Sequence, residues 1–94
     1  MSEKEIQKQC IEYLKKRNIF FYRQNQGRMG RIKFTSINGV PDIVAVIKGK
    51  YVGIELKDEK GKQSEDQKTF QKNLEQAGGE YWLIRDLDEL IKKL

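Results

Sequence analysis

Residues 40–57, VPDIVAVIKGKYVGIELK, decide the fold of this chain. The continuous apolar run from Ile43 to Ile47 is typical of a strand that is buried on both faces of a sheet. After a turn at Lys48-Gly49-Lys50, apolar residues alternate with others over residues 51–57, which is the pattern of a second strand with one face toward the core. The segment therefore predicts a β-hairpin.

This hairpin is expected to bring three charged side chains to one face. Glu55 and Lys57 are two residues apart on a strand, so both project from the same side, about 7 Å apart along it. A two-residue turn with Gly49 first and Lys50 second fits the glycine preference of a type II′ turn. That register pairs Asp42 with Lys57, and cross-strand partners share a face. A three-residue turn would put Asp42 on the opposite face.

The sequence on either side of the hairpin predicts three helices and two more strands. Ser2 with Glu5, and Ser64 with Gln67, form capping boxes, which predict helices over residues 2–17 and 64–77. The other expected elements are strands at 19–22 and 81–84, a polar loop or loose hairpin over 24–38, and a short helix after Asp86. The order α-β-β-β-α-β-α predicts a single α/β domain of residues 1–94, a mixed β-sheet flanked by helices.

Length and composition limit the chemistry that the chain can perform. It has 94 residues, no histidine and a single cysteine, Cys10. Histidine triads, histidine–zinc sites, cysteine–zinc sites and internal disulfide bonds are therefore excluded. Any catalysis must depend on carboxylates, lysine and a bound metal ion. The formal charge of +5 favours a polyanion such as nucleic acid as partner, although the same charge can serve solubility alone.

Nothing in the sequence predicts a membrane protein. No apolar run approaches the ~20 residues of a membrane-spanning helix. The first residues, MSEKE, are not followed by the hydrophobic segment of a signal peptide. We therefore expect a cytoplasmic protein.

Asp42, Glu55 and Lys57 together have the chemistry that phosphodiester hydrolysis requires. That reaction needs an activated water molecule and a place for developing negative charge, and a divalent metal ion supplies both. Mg²⁺ prefers hard oxygen ligands, which Asp42, Glu55 and the backbone carbonyl of Leu56 could provide. Lys57 could hold the attacking water or stabilise the charged phosphorane. Alone, a Glu-x-Lys pattern usually marks a solvated strand face, but here it lies in an otherwise apolar hairpin.

Three segments resemble the motifs of the VRR-NUC nucleases: Gly39-Val40-Pro41-Asp42, Gly53-Ile54-Glu55-Leu56-Lys57 and Gly61-Lys62-Gln63-Ser64-Glu65-Asp66-Gln67. That family belongs to the PD-(D/E)xK superfamily, which has a restriction-endonuclease-like fold. The likeness extends from Glu3 to the last strand, and the chain looks like the minimal, stand-alone form found mostly in phages. The resemblance implies a nuclease dependent on Mg²⁺ or Mn²⁺, with Asp42 and Glu55 as ligands and Lys57 beside the attacking water.

The resemblance also implies two further site residues. The family places an acidic residue of the first helix near the metal, and Glu3, Glu5 and Glu12 are candidates. At ~100° per residue, Glu3 falls near the side of the helix that faces the sheet, and Glu5 already has a capping role. Glu3 is preferred, although it could simply complement the helix dipole. Gln67 is implied near the active site too, but a purely capping role fits it equally well.

The polar segment that follows the first strand suits contacts to a nucleic-acid backbone. Its glycines permit close approach, and basic residues recur throughout it. The candidate DNA-binding residues are Arg23, Asn25, Arg28, Arg31 and Lys33. The alternative is an ordinary solvent-exposed hairpin.

The expected assembly is a homodimer that cuts branched DNA. The last helix carries four apolar residues, Leu87, Leu90, Ile91 and Leu94, more than a small sheet edge readily covers. A twofold dimer would present two active sites to two strands, and stand-alone VRR-NUC members that act like Holliday-junction resolvases favour it. The last helix could instead pack on its own sheet. The alternative functions are a non-catalytic nucleic-acid-binding module on a nuclease fold and a small structural protein.

Overall fold

Three helices and a mixed four-stranded sheet form the part of the chain that the structure describes. The computed structural model describes residues 1–24 and 37–94. Its elements in chain order are α1 (Glu3–Lys16), β1 (Phe20–Arg23), β2 (Ile43–Ile47), β3 (Lys50–Leu56), α2 (Glu65–Gln76), β4 (Glu80–Ile84) and α3 (Leu87–Lys93). The predicted α/β class with a mixed sheet and flanking helices is confirmed.

The sheet has the strand order β1-β2-β3-β4. Strand β2 pairs antiparallel with both β1 and β3, whereas β3 pairs parallel with β4. Parallel neighbours need a long crossover connection, and α2 provides it. Strands β2 and β3 are thus neighbours in space as well as in sequence. The start of α2 also lies beside β3, since Gln67 contacts Glu55.

Local hydrogen bonds explain where the helices begin and end. The Ser2 hydroxyl accepts from the Glu5 N–H at 3.2 Å and the Glu5 carboxylate accepts from the Ser2 N–H at 3.0 Å, so the first capping box is confirmed. Asn18, with a φ of +55°, stops the chain from continuing α1. Asp86 begins α3 by accepting from the Glu89 N–H at 2.9 Å.

The hydrophobic core lies between one face of the sheet and the helices α1 and α3. Helix α1 contributes Ile6, Cys10 and Leu14, which recur every four residues and so lie on one side of the helix. The sheet and α3 complete the cluster with Ile43, Ala45, Val52, Ile54, Leu56, Trp82, Ile84 and Leu90, each at most 7 % exposed. We call this side of the sheet the core face.

Helix α2 lies on the opposite side, which we call the site face. Side chains alternate along β3, so Gly53 points away from the core residue Ile54. A Cβ atom on Gly53 would touch Leu74 of α2, and the ring of Phe70 lies 6.5 Å from that of Tyr81. No residue of α2 is fully buried, although Val44 and Tyr81 on this side of the sheet are only 1 % and 7 % exposed.

Two expectations about the hairpin are wrong. Ile47 pairs with Lys50, so the turn is Lys48-Gly49, and both residues have positive φ, +53° and +79°. This is the pattern of a type I′ turn rather than type II′. The strand β2 is also not buried along its whole length, because Val46 is 44 % exposed.

The corrected register still keeps the three charged residues together. Extending the observed pairing of Ile43 with Ile54 by one step places Asp42 opposite Glu55, not opposite Lys57. The error is a shift of two residues, and side chains alternate with a period of two. Asp42, Glu55 and Lys57 therefore share the site face, as predicted.

Helix α3 packs mainly on its own sheet. Leu90 is fully buried, and Leu87 and Leu94 pack against the core, while Ile91 is 38 % exposed. The expectation that this helix carries more apolar surface than the protein itself covers is therefore wrong, because three of its four apolar residues lie in or against the core. Among the described residues, no helix combines the length and the apolar character needed to cross a membrane.

Candidate active site

Three carboxylates from separate parts of the chain converge at one end of the site face. They belong to Glu3 at the start of α1, Asp42 just before β2 and Glu55 near the end of β3. One carboxylate oxygen from each lies within 4.8 Å of the other two. Glu55 is 2 % exposed, Asp42 is half-buried and Glu3 is exposed. The site thus runs from solvent into the protein interior.

Asp42 is fixed through both its side chain and its backbone. The Leu56 N–H donates to Asp42 Oδ2 at 2.9 Å, and the Gln24 N–H donates to the Asp42 carbonyl at 2.9 Å. The carboxylate thus accepts a hydrogen bond from a backbone N–H of β3, while the carbonyl accepts one from the residue that follows β1. Its position is therefore set by the sheet rather than by a loop.

Two glycines of the VRR-NUC-like motifs allow the backbone to approach closely around the site. A Cβ atom on Gly53 would lie 2.8 Å from Pro41 Cγ, so only glycine leaves room for Pro41 on the site face. A Cβ atom on Gly39 would overlap the backbone of Asp66 and Gln67, and its φ of +76° favours glycine as well. Residues 39–42 are thereby packed between β3 and the first turn of α2.

The Glu55 carboxylate has one oxygen in contact with partners and one without. Glu55 Oε2 accepts from Gln67 Nε2 at 3.0 Å and lies 3.6 Å from Lys57 Nζ. Glu55 Oε1 is buried, and no N–H or O–H group among the described residues donates to it. Buried carboxylate oxygens are normally satisfied, so this atom needs an explanation.

Burial and neighbouring charges change the proton affinity of this cluster. Burial raises the pKa of Glu55, the charge of Asp42 and a side-chain hydrogen bond with Asp42 raise it as well, and Lys57 opposes them, so that the pKa is about 8. Burial and the nearby Asp42 also raise the pKa of Glu3. Near neutral pH and without a cation, the cluster therefore retains a proton that free carboxylic acids would lose.

Gln67 caps α2 and also contacts the carboxylate cluster. Its Oε1 accepts from the Ser64 N–H at 2.9 Å, and its own N–H donates to the Ser64 hydroxyl at 3.1 Å, so the capping box is present. Its Nε2 donates to Glu55 at the same time. A side-chain amide can do this because its oxygen accepts while its nitrogen donates.

Lys57 continues β3, since its N–H donates to the Ile84 carbonyl at 3.1 Å, and the loop that follows it is fixed by hydrogen bonds of its own. Asp58 Oδ1 accepts from the N–H groups of Lys60 and Gly61 at 2.9 and 2.7 Å. Arg85 Nη1 donates to the carbonyls of Asp58 and Gly61 at 2.6 and 2.8 Å. Arg85 lies 27 residues from Asp58 in the chain, so no local sequence pattern indicates this contact.

The remaining predicted residues are only partly placed. The Leu56 side chain lies in the core, and its N–H donates to Asp42. That the Leu56 carbonyl binds a metal ion stays a prediction. Arg23 is exposed at the end of β1. Asn25, Arg28, Arg31 and Lys33 lie outside the described residues. Of the alternatives to Glu3, Glu5 forms the α1 cap and Glu12 is exposed outside the cluster.

Scans against models of known protein families and against curated proteins found no match to this chain.

Proposed function

We propose that this chain is a metal-dependent deoxyribonuclease that hydrolyses phosphodiester bonds. The buried Glu55 carboxylate carries the proposal, because no N–H or O–H group of the described residues donates to its Oε1 and it belongs to a cluster of three carboxylates. Carboxylates that are buried side by side need a proton or a cation to compensate them. Lys57, 3.6 Å from Glu55, adds the ammonium group that such a reaction can use.

The donor atoms fit Mg²⁺ or Mn²⁺. Glu3, Asp42 and Glu55 offer hard oxygen ligands, with the Leu56 carbonyl as a possible fourth. The chain has no histidine, and its single thiol, Cys10, is fully buried in the core. A divalent ion bound here would acidify a water molecule and neutralise charge on the phosphate.

The protein's own groups position the reactants. Lys57 lies beside the attacking water and donates a hydrogen bond to it or to the phosphate oxygens as negative charge develops. Gln67 occupies Glu55 Oε2 and so leaves Oε1 for a ligand. Asp42 is held by the Leu56 N–H. Such supporting hydrogen bonds fix the orientation of ligands before the substrate arrives.

DNA is the substrate that the charge and the motifs favour. The net charge of +5 attracts phosphate backbones, and Gln24, bonded to the Asp42 carbonyl, directly follows Arg23. The predicted backbone-binding segment therefore begins beside the carboxylate cluster. We propose DNA contacts for Arg23, Asn25, Arg28, Arg31 and Lys33. The resemblance to VRR-NUC nucleases, with their restriction-endonuclease-like fold, supports the same substrate.

The most specific form of the proposal is a homodimer acting on four-way junctions or other branched DNA in the cytoplasm, including that of a phage-infected host. One site cuts one strand, so two symmetry-related sites are needed to cut two strands together. Because α3 mostly packs on its own sheet, support for the dimer comes from this argument and from the VRR-NUC likeness.

The test is cleavage of an end-labelled four-way junction and a matched duplex, with Mg²⁺ or Mn²⁺ or with EDTA. We expect paired nicks in the junction and no cleavage in EDTA. Asp42→Asn, Glu55→Gln and Lys57→Ala should each reduce the rate by about 10²–10³-fold or more, and Lys57→Ala should keep its DNA affinity. The controls Glu59→Gln and Lys60→Ala change the same charges on neighbouring exposed residues and should cut normally.

Two outcomes would count against this function. Cleavage at the parental rate in EDTA, or by any of the three site variants, would show that the proposed site is wrong. Salt-sensitive DNA binding without cleavage under any metal would support the non-catalytic binding module instead.

A further inference from the structure

The site face carries exposed aromatic side chains at its β1 edge. Phe20 is 69 % exposed and Tyr22 is 48 % exposed, both on the edge strand β1. Half-buried Tyr51 lies two strands away and interacts with Tyr22. We call Phe20, Tyr22 and Tyr51 the aromatic face. Of the consecutive residues Phe20, Phe21 and Tyr22, Phe21 packs against the core.

The strand pairing relates this aromatic face to the carboxylates. Phe20 pairs with Val46, which pairs with Tyr51, and these form one row across the sheet. Tyr22 pairs with Val44 and forms the next row. Extending the pairing of Ile43 with Ile54 by one residue puts Asp42 and Glu55 in the row after that. Successive rows on one face are about 6.8 Å apart. The aromatic face therefore begins one row from the candidate active site and leads away from it.

We infer that the aromatic face stacks the bases of an unpaired DNA strand that adjoins the phosphate to be cut; this inference rests on the proposed function. Exposed aromatic side chains beside basic residues bind single strands by stacking on successive bases. The row spacing is about twice the ~3.4 Å base spacing of duplex DNA, so an extended strand can place bases on successive rows. The substrate class is DNA with a single-stranded segment next to the cleaved bond.

Charge favours this occupant over a second copy of the chain. Arg23 directly follows Tyr22 and ends the edge strand β1 near the site, where its pairing with Ile43 places it beside the aromatic face rather than on it, and Lys48 lies in the hairpin turn at the other end. Both residues are exposed. A polyanionic strand running along the rows would pass both cations. A twofold contact between two copies would instead bring these positive charges toward each other, which is unfavourable.

The experiment measures binding of a duplex that has a single-stranded tail, by fluorescence anisotropy. Every protein carries Lys57→Ala, so that the DNA stays intact. Phe20→Ala and Tyr22→Ala should each weaken binding of the tailed DNA by about 5- to 100-fold. The controls are Tyr22→Phe, which keeps the ring, and Ile91→Ala, which removes an exposed apolar side chain on α3. Both should stay within about twofold.

A tail of abasic sugars separates stacking from phosphate contacts. With the parent, replacing the normal tail by the abasic tail should weaken binding. The loss should about equal the loss that the double variant Phe20→Ala/Tyr22→Ala shows with the normal tail. With the double variant, the abasic tail should cause hardly any further loss. Equal binding of normal and abasic tails by the parent would overturn the inference. Dissociation of a dimer by these substitutions with unchanged tail binding would also overturn it, in favour of a second copy. Ring-dependent binding without cleavage by the parental Lys57 protein would reject only the nuclease.

Discussion

Ile54 and Glu55 are neighbours in β3, and both are at most 2 % exposed, yet their burial has opposite effects on stability. Ile54 lies on the core face, where removing apolar surface from water stabilises the fold. Glu55 lies on the site face, where removing a carboxylate from water opposes its ionisation and raises its pKa. The comparison teaches that burial alone does not distinguish a structural residue from a functional one. The chemistry of the buried group does.

The largest effect that tests this comparison is expected from Ile54→Ala. Truncating a fully buried isoleucine should lower the free energy of unfolding by about 2–5 kcal/mol, because transfer energy is lost and a cavity remains. Urea denaturation followed by the fluorescence of Trp82, which lies in the same core, measures it. The control is Val46→Ala on β2, which is 44 % exposed and should cost less than about 1 kcal/mol. Equal losses would mean that the core is not where we place it.

Glu55→Gln should have the opposite effect, and only at high pH. The folded-state pKa of Glu55 is about 8 against an ordinary value of 4.5, so the folded protein binds the proton more tightly than the unfolded chain. Without metal, the parent should therefore lose about 1.4 kcal/mol of stability for each unit by which the pH rises between about 4.5 and 8. The variant lacks this titration and should be the more stable protein at pH 9.

The same denaturation series at pH 5, 7 and 9, in chelator, measures the effect as the difference between parent and Glu55→Gln. Subtracting the two removes the titration of every other group that they share. A difference that does not change with pH would mean that Glu55 is not a destabilised buried acid. It would then be an ordinary member of the fold, like Ile54.

The smallest effect concerns the support of the site face. Gly39→Ala and Gly49→Ala both place a side chain at positive φ, +76° and +79°, but only Gly39 has neighbours, the backbone of Asp66 and Gln67. Gly39→Ala should therefore cost about 1 kcal/mol more than Gly49→Ala, which costs about 1–2 kcal/mol itself. It should also slow cleavage, because displaced Gln67 no longer holds Glu55. Equal stability and equal cleavage of the two variants would remove Gly39 from the site.

The fold could be predicted from the sequence where periodicity and capping are local. Ser2 with Glu5, and Ser64 with Gln67, gave correct helix starts. The turn was missed because either pair, Lys48-Gly49 or Gly49-Lys50, contains a glycine that can adopt positive φ. Only the pairing of Ile47 with Lys50 decides between them, and that pairing depends on contacts along the whole strand.

The candidate site could be predicted where its residues share a strand or a helix. The common face of Glu55 and Lys57 follows from strand periodicity, and the side of α1 that carries Glu3 follows from helix periodicity. Asp42 kept its face because the register error was two residues. Arg85 could not be found, because its contact joins distant segments. Gly53 could have been, since glycine inside a strand often marks the close approach of another part of the chain.

The sharing of Gln67 makes the first turn of α2 and the acidic cluster one cooperative unit. If that turn frays, the Ser64 N–H and Glu55 Oε2 lose their shared partner at the same moment. Conversely, any ligand that fixes Glu55 also holds the beginning of a helix that has no fully buried residue of its own. The order of the first turn of α2 thus depends on whether the carboxylate cluster holds a ligand.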